Sequence, residues 1–275
     1  MLKGSLLSTV AAFIGTVPEV YHRHLGPLLF EPYAADLTAR ARLGRARRVL
    51  ELACGTGIVT RHLLAMLPDD GCLLATDLNP AMLEVARRHV GDADPRLAFQ
   101  PLDACALPFP DGSFDLVVAQ FGVMFFPDKA ASMREVRRVL APGGRYLFNV
   151  WDSLATNPIP AIVQETLDAL LPENPPRFLA QTPYGWHDRA GIEATVRAGG
   201  FETVRITTVD LPSVAPTAAD AARGFIDGTP NAIALRDRGI TDTSALRAWA
   251  SQRLADRLGD SPCRATMRAM VVEAS

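Results

Sequence analysis

Residues 49–60 read Val-Leu-Glu-Leu-Ala-Cys-Gly-Thr-Gly-Ile-Val-Thr, an apolar run that leads into two glycines and then a β-branched stretch. The run predicts a strand that is covered on both faces, as in a parallel sheet. Gly55 and Gly57 lack a Cβ, so the backbone of the following loop can approach a ligand closely at the start of a helix. Since open α/β sheets bind ligands at the carboxyl ends of their strands, this loop is the first candidate for a ligand site.

Two carboxylates accompany the loop. Glu51 lies inside the predicted strand, where a charge is costly unless a cation or a hydrogen-bond donor meets it. Asp77 ends the next predicted strand, and a carboxylate there can accept hydrogen bonds from the ribose of any adenosine ligand. A dinucleotide fingerprint would place a third glycine three residues after Gly57, where this sequence has Thr60. The spacing therefore argues against a dinucleotide.

Four sequence blocks, in order between residues 47 and 150, resemble the motifs of one family. The blocks are Glu51–Gly57, Thr76–Leu83, Gln100–Asp115 and Leu140–Phe148. They resemble the class I S-adenosylmethionine (SAM) methyltransferases. The segment Gln120–Asp128 is similar to the branch that includes the ubiquinone and menaquinone C-methyltransferases and many enzymes of small-molecule metabolism. A glycine loop alone is weak evidence, whereas four blocks in register are specific.

The resemblance implies an α/β fold. We expect a Rossmann-like sheet of seven mostly parallel strands with an antiparallel last strand, helices on both faces, and a helical cap or lid. Residues 1–46 then form the cap, and 47–211 with 263–275 form the SAM-binding core. Residues 212–262 are a mostly helical insertion between two strands that this fold usually joins directly. We expect the insertion to be a lid over the acceptor or, alternatively, a dimer surface.

The resemblance also implies roles for individual residues. Glu51 would face the cationic amino end of SAM, Asp77 would bind the ribose, and Asp103 would accept from the adenine amino group. Tyr21, in the cap, would lie near the SAM carboxylate. The backbone of the glycine loop at Ala53, Gly55 and Gly57 would wrap the methionine portion, and Leu78 and Met82 would form the walls of the adenine pocket. The amide of Ala104 would donate to adenine. Gln120 and Phe121 would flank the transferring methyl group.

Some of these residues also have a purely structural explanation. Asp77 could be a helix cap and Asp103 a turn residue. Ala53 departs from the family, which often has glycine at that position.

The expected reaction is transfer of a methyl group from SAM to an O, N or C atom of a small organic acceptor by in-line displacement. Its main requirements are positioning and the exclusion of water. A general base is needed only if the acceptor must be deprotonated. His187 is the first candidate, followed by His22 and His24, although a lone histidine is commonly structural. The alternatives are a non-catalytic protein that binds SAM or S-adenosylhomocysteine (SAH), and an aminopropyltransferase on the same fold.

Composition sets further limits. A chain of 275 residues with 48% hydrophobic residues can form one large core with an appended cap. A net charge of −2 gives no electrostatic reason to bind nucleic acid. The cysteines, Cys54, Cys72, Cys105 and Cys263, lack metal-ligand spacing, so we expect reduced thiols and no metal. No stretch has the length of a membrane span, and an apolar stripe within residues 6–17 favours a packed helix over a cleaved signal. We expect a cytoplasmic protein, with a homodimer as one option.

Overall fold

The computed structural model describes residues 13, 15–44 and 46–275. Seven strands form one sheet in the order β3-β2-β1-β4-β5-β7-β6. The first five strands are parallel, and β7 is antiparallel to both of its neighbours. This architecture confirms the predicted fold class. The strands are β1 (Arg48–Glu51), β2 (Cys72–Asp77), β3 (Leu97–Pro101), β4 (Phe114–Gln120), β5 (Leu140–Trp151), β6 (Val204–Ala215) and β7 (Cys263–Ala274).

Helices connect the strands and shield the sheet. Consecutive residues of β1 and β4 are buried, as expected for strands covered on both faces. Among the described residues, no helix is long and apolar enough to cross a membrane. The helices are α1 (Val17–Val20), a π-helical segment (Tyr21–Phe30), α2 (Glu31–Ala41), α3 (Ile58–Met66), α4 (Pro80–Val90), α5 (Lys129–Val139), α6 (Pro158–Leu170), α7 (Phe178–Gln181), α8 (Arg189–Ala198), α9 (Ala218–Asp227), α10 (Asn231–Arg236) and α11 (Ser244–Leu258), with short 3₁₀ turns at Val123–Phe125 and Leu154–Thr156.

The register of the central strands determines where a ligand can bind. Glu51, the last residue of β1, pairs with Ala75 of β2 on one side and with Val118 of β4 on the other. The carboxyl ends of these three strands therefore meet at one edge. The strand order reverses between β1 and β4, and such a switch point leaves a crevice at the sheet edge.

The boundary of the insertion differs from the predicted one. The strand expected at Phe201–Leu211 begins at Val204 and extends to Ala215, so the predicted boundary at residue 212 falls inside β6. Pro212 interrupted the sequence pattern, yet it pairs with Thr266 of β7. Proline is tolerated there because β6 is an edge strand, where one side of the backbone needs no partner.

The cap and the insertion pack against each other. Nδ1 of His24 in the π-helical segment lies 3.3 Å from Oδ1 of Asp220 in α9, and the His24 side chain is only 7% exposed. Gly224 of α9 lies so close that an added Cβ would be 2.6 Å from Cδ2 of Leu25. Two segments that are far apart in sequence thus form one helical layer. Most of the apolar stripe expected within residues 6–17 lies outside the described residues; Phe13 and Val17 are described, and both are buried.

This packing predicts the effect of a substitution at Gly224. In Gly224→Ala, overpacking is expected to cost about 1–3 kcal/mol. Gly26→Ala is the matched control, because it shares the gain in helix propensity but its Cβ would meet only Ile58, at 3.4 Å. In urea unfolding, Gly224→Ala should therefore be less stable than Gly26→Ala by about 1–3 kcal/mol. Equal stability of the two variants would contradict the close contact between α9 and the cap.

Candidate active site

A cleft of about 860 Å³ lies at the carboxyl ends of β1, β2 and β4. Of the predicted cofactor contacts, Glu51 and Gly57 do not line the cleft. The contacts that do line it are Tyr21, Ala53, Gly55, Asp77, Leu78, Met82, Asp103, Ala104, Gln120 and Phe121. The structure therefore brings together residues of the first three sequence blocks and of the segment Gln120–Asp128, whereas the fourth block, Leu140–Phe148, does not line the cleft.

Glu51 lines a smaller adjoining cavity of about 320 Å³, next to Tyr21, Gly55 and Gln120. The Glu51 side chain is 1% exposed, and the Thr60 hydroxyl donates to its Oε2 over 2.6 Å. Burial raises the pKa of Glu51 to about 8, so the group is largely protonated at neutral pH. A cation that entered this cavity would favour the ionised form.

Gln120 supplies a second oxygen to the same cavity. Its Nε2 donates to the Phe30 carbonyl over 3.1 Å. Its buried Oε1 has no hydrogen-bond partner among the described residues. An unpartnered amide oxygen beside a buried carboxyl group forms an acceptor-rich pocket, which suits an ammonium group.

Asp77 lies in the cleft wall, and the helix cap that the sequence offered as its alternative role is formed by another residue. The two carboxylate oxygens of Asp77 accept from the Gly55 and Asn79 amides over 2.9 and 2.8 Å. Burial raises its pKa to about 6. The side chain that caps α4 belongs to Asn79, which accepts from the Ala81 amide. Asp103 likewise lines the cleft and closes a turn by accepting from the Cys105 amide.

The two glycines of the loop differ in what surrounds them. At Gly55, which has a φ of +56°, the position of an added Cβ has no neighbour within 4 Å, so a ligand can approach. At Gly57, an added Cβ would lie 2.6 Å from Val90 and 3.1 Å from Ala86, both in α4. Gly57 therefore serves close packing between the start of α3 and α4, and the structure does not place it in a cavity wall.

Ala53 lies in a left-handed conformation with a φ of +52°, which explains why glycine suits this position. Space for its methyl group comes from Gly122, after β4: a Cβ added there would clash with the Cβ of Ala53. The departure from the family pattern is thus accommodated by a glycine just after the neighbouring strand.

A third cavity, of about 400 Å³, adjoins the cleft and is lined mainly by aromatic rings. It shares Phe13, Tyr21, Phe121 and Phe125 with the cleft. We call it the aromatic cavity. Its other lining residues are Leu25, Leu29, Phe30, Trp151, Phe178, Leu179, Pro183, Tyr184, Phe225 and Thr229. None of these residues carries a charge. Phe225 and Thr229 come from the insertion, so the insertion contributes to the cavity wall.

Tyr21 lines the cleft, the Glu51 cavity and the aromatic cavity, so it lies where the three meet. Its ring stacks on Phe30 with centroids 4.8 Å apart and contacts Phe13 edge-on at 5.6 Å. A group that moves from a molecule in the cleft to one in the aromatic cavity would pass this point.

The five histidines of the chain do not line these cavities. His187, the first candidate for a general base, is exposed, and its Nδ1 donates to the Tyr184 carbonyl over 2.9 Å. His22 bonds to the Thr56 hydroxyl and stacks on His89 with ring centroids 3.7 Å apart. His24 pairs with Asp220. The contacts of His22 and His24 connect distant segments of the fold, and the contact of His187 closes a local turn; lone histidines commonly have such structural roles.

Comparison with known proteins identifies the class of the domain. The methyltransferase-domain family matches residues 49–144. The ubiquinone/menaquinone biosynthesis C-methyltransferase UbiE of Hahella chejuensis is 41% identical over 113 residues, which cover 40% of this chain and 45% of that protein. Demethylmenaquinone methyltransferase of Clavibacter sepedonicus is 32% identical over 169 residues, covering 57% of this chain and 66% of that protein.

A solved structure has the same fold. Phosphoethanolamine N-methyltransferase 2 of Haemonchus contortus, in complex with phosphomonomethylethanolamine and SAH, superposes with a TM-score of 0.59. The match covers 94% of this chain and 56% of that one, at 16% identity.

The fold and the cleft, together with the family match, define a SAM-dependent methyltransferase domain. The chain belongs to the class I SAM-dependent methyltransferases and resembles the UbiE and demethylmenaquinone methyltransferases. The predictions of family, enzyme class and cofactor are confirmed. The chain spans about half the length of the Hahella relative and two thirds of the Clavibacter one.

The raised pKa of Glu51 predicts that SAM binding releases a proton. If Glu51 faces the SAM ammonium, the carboxyl group must ionise on binding, so affinity should increase with pH and level off near pH 8, the pKa of Glu51 in the free protein. Calorimetry at pH 7 in buffers of different ionisation enthalpy measures the proton release.

Glu51→Gln is the control for this measurement, since the amide keeps the shape but cannot ionise. The variant should lose both the proton release and the increase of affinity between pH 6.5 and 8. Proton release of the same size in the variant would assign it to another group.

Ala53 and Gly122 are predicted to be energetically coupled. Gly122→Ala alone should be destabilising, because the new Cβ clashes with that of Ala53. Ala53→Gly removes the clashing methyl group, so the double variant should recover about 1–3 kcal/mol relative to the sum of the two single changes. Urea unfolding of the four proteins gives the coupling energy, and strictly additive effects would contradict the proposed contact.

Proposed function

We propose that the protein transfers the methyl group of SAM to a small, largely apolar acceptor of the quinone type, bound in the aromatic cavity. The observation that carries the proposal is the shared wall. The cleft that holds the expected cofactor residues and the uncharged aromatic cavity have Tyr21 and three phenylalanines in common. The names of the relatives, which refer to ubiquinone and menaquinone, support a quinone-type acceptor.

The residues present fit SAM. Glu51 and the free Oε1 of Gln120 suit its ammonium group, and Asp77 suits its ribose. Leu78 is 40% exposed, unusual for a leucine, and it lines the cleft, where an adenine ring could cover it. When bound, SAM supplies a methyl group on a sulfonium whose leaving group is neutral.

The protein's own contribution is to position the acceptor and to exclude water. The aromatic rings form dry walls around the acceptor, and orientation of this kind can be worth about 7–11 kcal/mol. Among the described residues, the cavity lining contains no carboxylate, lysine or histidine. We therefore propose that the acceptor's nucleophilic atom is held in line with the methyl group without a charged general base in contact with it.

We further propose that the insertion acts as a lid and that the protein is cytoplasmic. The lid proposal is supported by Phe225 and Thr229, which reach the aromatic cavity from the insertion. The cytoplasmic location follows from the cofactor, because SAM is a cytosolic metabolite.

The function is tested by incubating the protein with SAM and 1,4-naphthohydroquinone and measuring SAH. We expect stoichiometric SAH and methylated product, with no competition from NAD. SAM binding without SAH release for any acceptor would favour the non-catalytic alternative. Release of methylthioadenosine from decarboxylated SAM would favour the aminopropyltransferase.

Phe225→Ala tests the lid. The substitution removes one wall of the aromatic cavity but no residue of the cleft, so the KM for the naphthohydroquinone should increase about tenfold or more, in line with the loss of a buried aromatic contact. The dissociation constant of SAM should stay within about twofold. Trp249→Ala is the control, because Trp249 lies in the same insertion but is 58% exposed and lines neither cavity. An unchanged KM in Phe225→Ala would exclude the insertion from the acceptor site.

A further inference from the structure

The hydroxyl group of Tyr184 is buried and has no hydrogen-bond partner among the described residues. Tyr184 is 2% exposed and lines the aromatic cavity. Buried polar groups in native proteins are nearly always paired, so the unpaired hydroxyl of a residue that lines a cavity requires an explanation. A ligand that fills the cavity can provide the missing partner.

Two other buried tyrosines, Tyr33 and Tyr146, do not combine an unpaired hydroxyl with a place in a cavity wall. Tyr33 is equally buried, but its hydroxyl donates to the backbone carbonyls of Met267 and Val209. Tyr146 also has an unpaired hydroxyl, but it packs against Phe148 and Phe201 and lines none of the three cavities. Tyr184 alone among the described tyrosines combines an unpaired, buried hydroxyl with a position in the wall of the acceptor cavity.

The segment that carries Tyr184 is held from several sides. The Tyr184 ring stacks on Trp151 with centroids 5.9 Å apart, and Trp151 in turn stacks on Phe121 at 3.7 Å. The Tyr184 amide donates to the Leu179 carbonyl over 3.1 Å, and its own carbonyl accepts from Nδ1 of His187. The backbone bonds fix the position of the residue, and the ring cannot turn without losing its stacking on Trp151, so the hydroxyl is preorganised.

We propose that the Tyr184 hydroxyl is the hydrogen-bond partner of an oxygen on the acceptor and determines the preference for acceptors that carry such an oxygen on an apolar ring. The inference rests on the proposed function. Burial raises the pKa of Tyr184 well above its usual value, so the group stays protonated and donates to the acceptor instead of removing its proton. His187 then contributes indirectly, by fixing the carbonyl of the residue that contacts the acceptor.

The test compares 2-naphthol with naphthalene as probes, because the two differ only by a hydroxyl group. Binding to the SAH-loaded full chain is followed by tryptophan fluorescence, to which Trp151 in the cavity wall contributes. Wild type should bind 2-naphthol about tenfold more tightly than naphthalene, the difference that one satisfied buried hydrogen bond can make. In Tyr184→Phe, the affinities for the two probes should agree within about twofold, and naphthalene should bind as in wild type.

Tyr33→Phe is the matched control, since it removes a hydroxyl that the backbone already satisfies, and the preference for 2-naphthol should persist. Folding of Tyr184→Phe is checked by its melting temperature, which should be no lower than that of wild type because the lost hydroxyl has no partner. An unchanged preference in Tyr184→Phe, or no preference in wild type, overturns the inference. Failure of wild type to bind SAH overturns the proposed function itself, and the inference with it.

Discussion

The site depends on the hydrogen bond that the Gly55 amide donates to Asp77 over 2.9 Å. This bond ties the loop after β1 to the end of β2, while the other oxygen of Asp77 fixes the turn into α4 through the Asn79 amide. Two strand ends and two helix starts are thereby held in one arrangement. The cost of burying the carboxylate is offset by these amide donors, and the same carboxylate forms part of the cleft wall.

Backbone strain concentrates beside this bond. Ala53 after β1 and Phe121 after β4 both have positive φ, at +52° and +49°, although neither is glycine. Each such residue costs of the order of 1–3 kcal/mol and persists only where the surroundings enforce it. The positive φ of Phe121 is stabilised by the stacking of its ring on Trp151 and by the Asn149 side chain, which accepts a hydrogen bond from the Phe121 amide. The two strained residues flank the point where a cofactor and an acceptor would meet.

Local motifs made the cofactor side of the site predictable. Gly55, Asp77 and Asp103 each stand at the end of a predicted parallel strand, and parallel strands bring such ends together by geometry alone. The aromatic cavity could not be predicted in the same way, because its rings come from separate segments whose side-chain directions depend on tertiary packing. His187 illustrates the limit: its segment does border the cavity, but Tyr184 faces inward and the imidazole is exposed. The prediction ended β6 at Leu211 because a proline such as Pro212 interrupts most strands. An edge strand tolerates proline, and β6 continues to Ala215.

The helical layer that the cap and the insertion form together has a consequence for synthesis on the ribosome. The π-helical segment presents Leu25, Leu28 and Leu29 to the interior, and all three are buried in the finished protein. One of their partners, α9, belongs to the last quarter of the chain, so the early segment emerges long before the surface that it needs. Contacts between such distant segments form slowly, and exposed apolar surface in the interim invites aggregation. The nascent protein can thus pair its five parallel strands first, whereas β7 and the part of the aromatic-cavity wall that Phe225 and Thr229 supply are added only after α9 has been made.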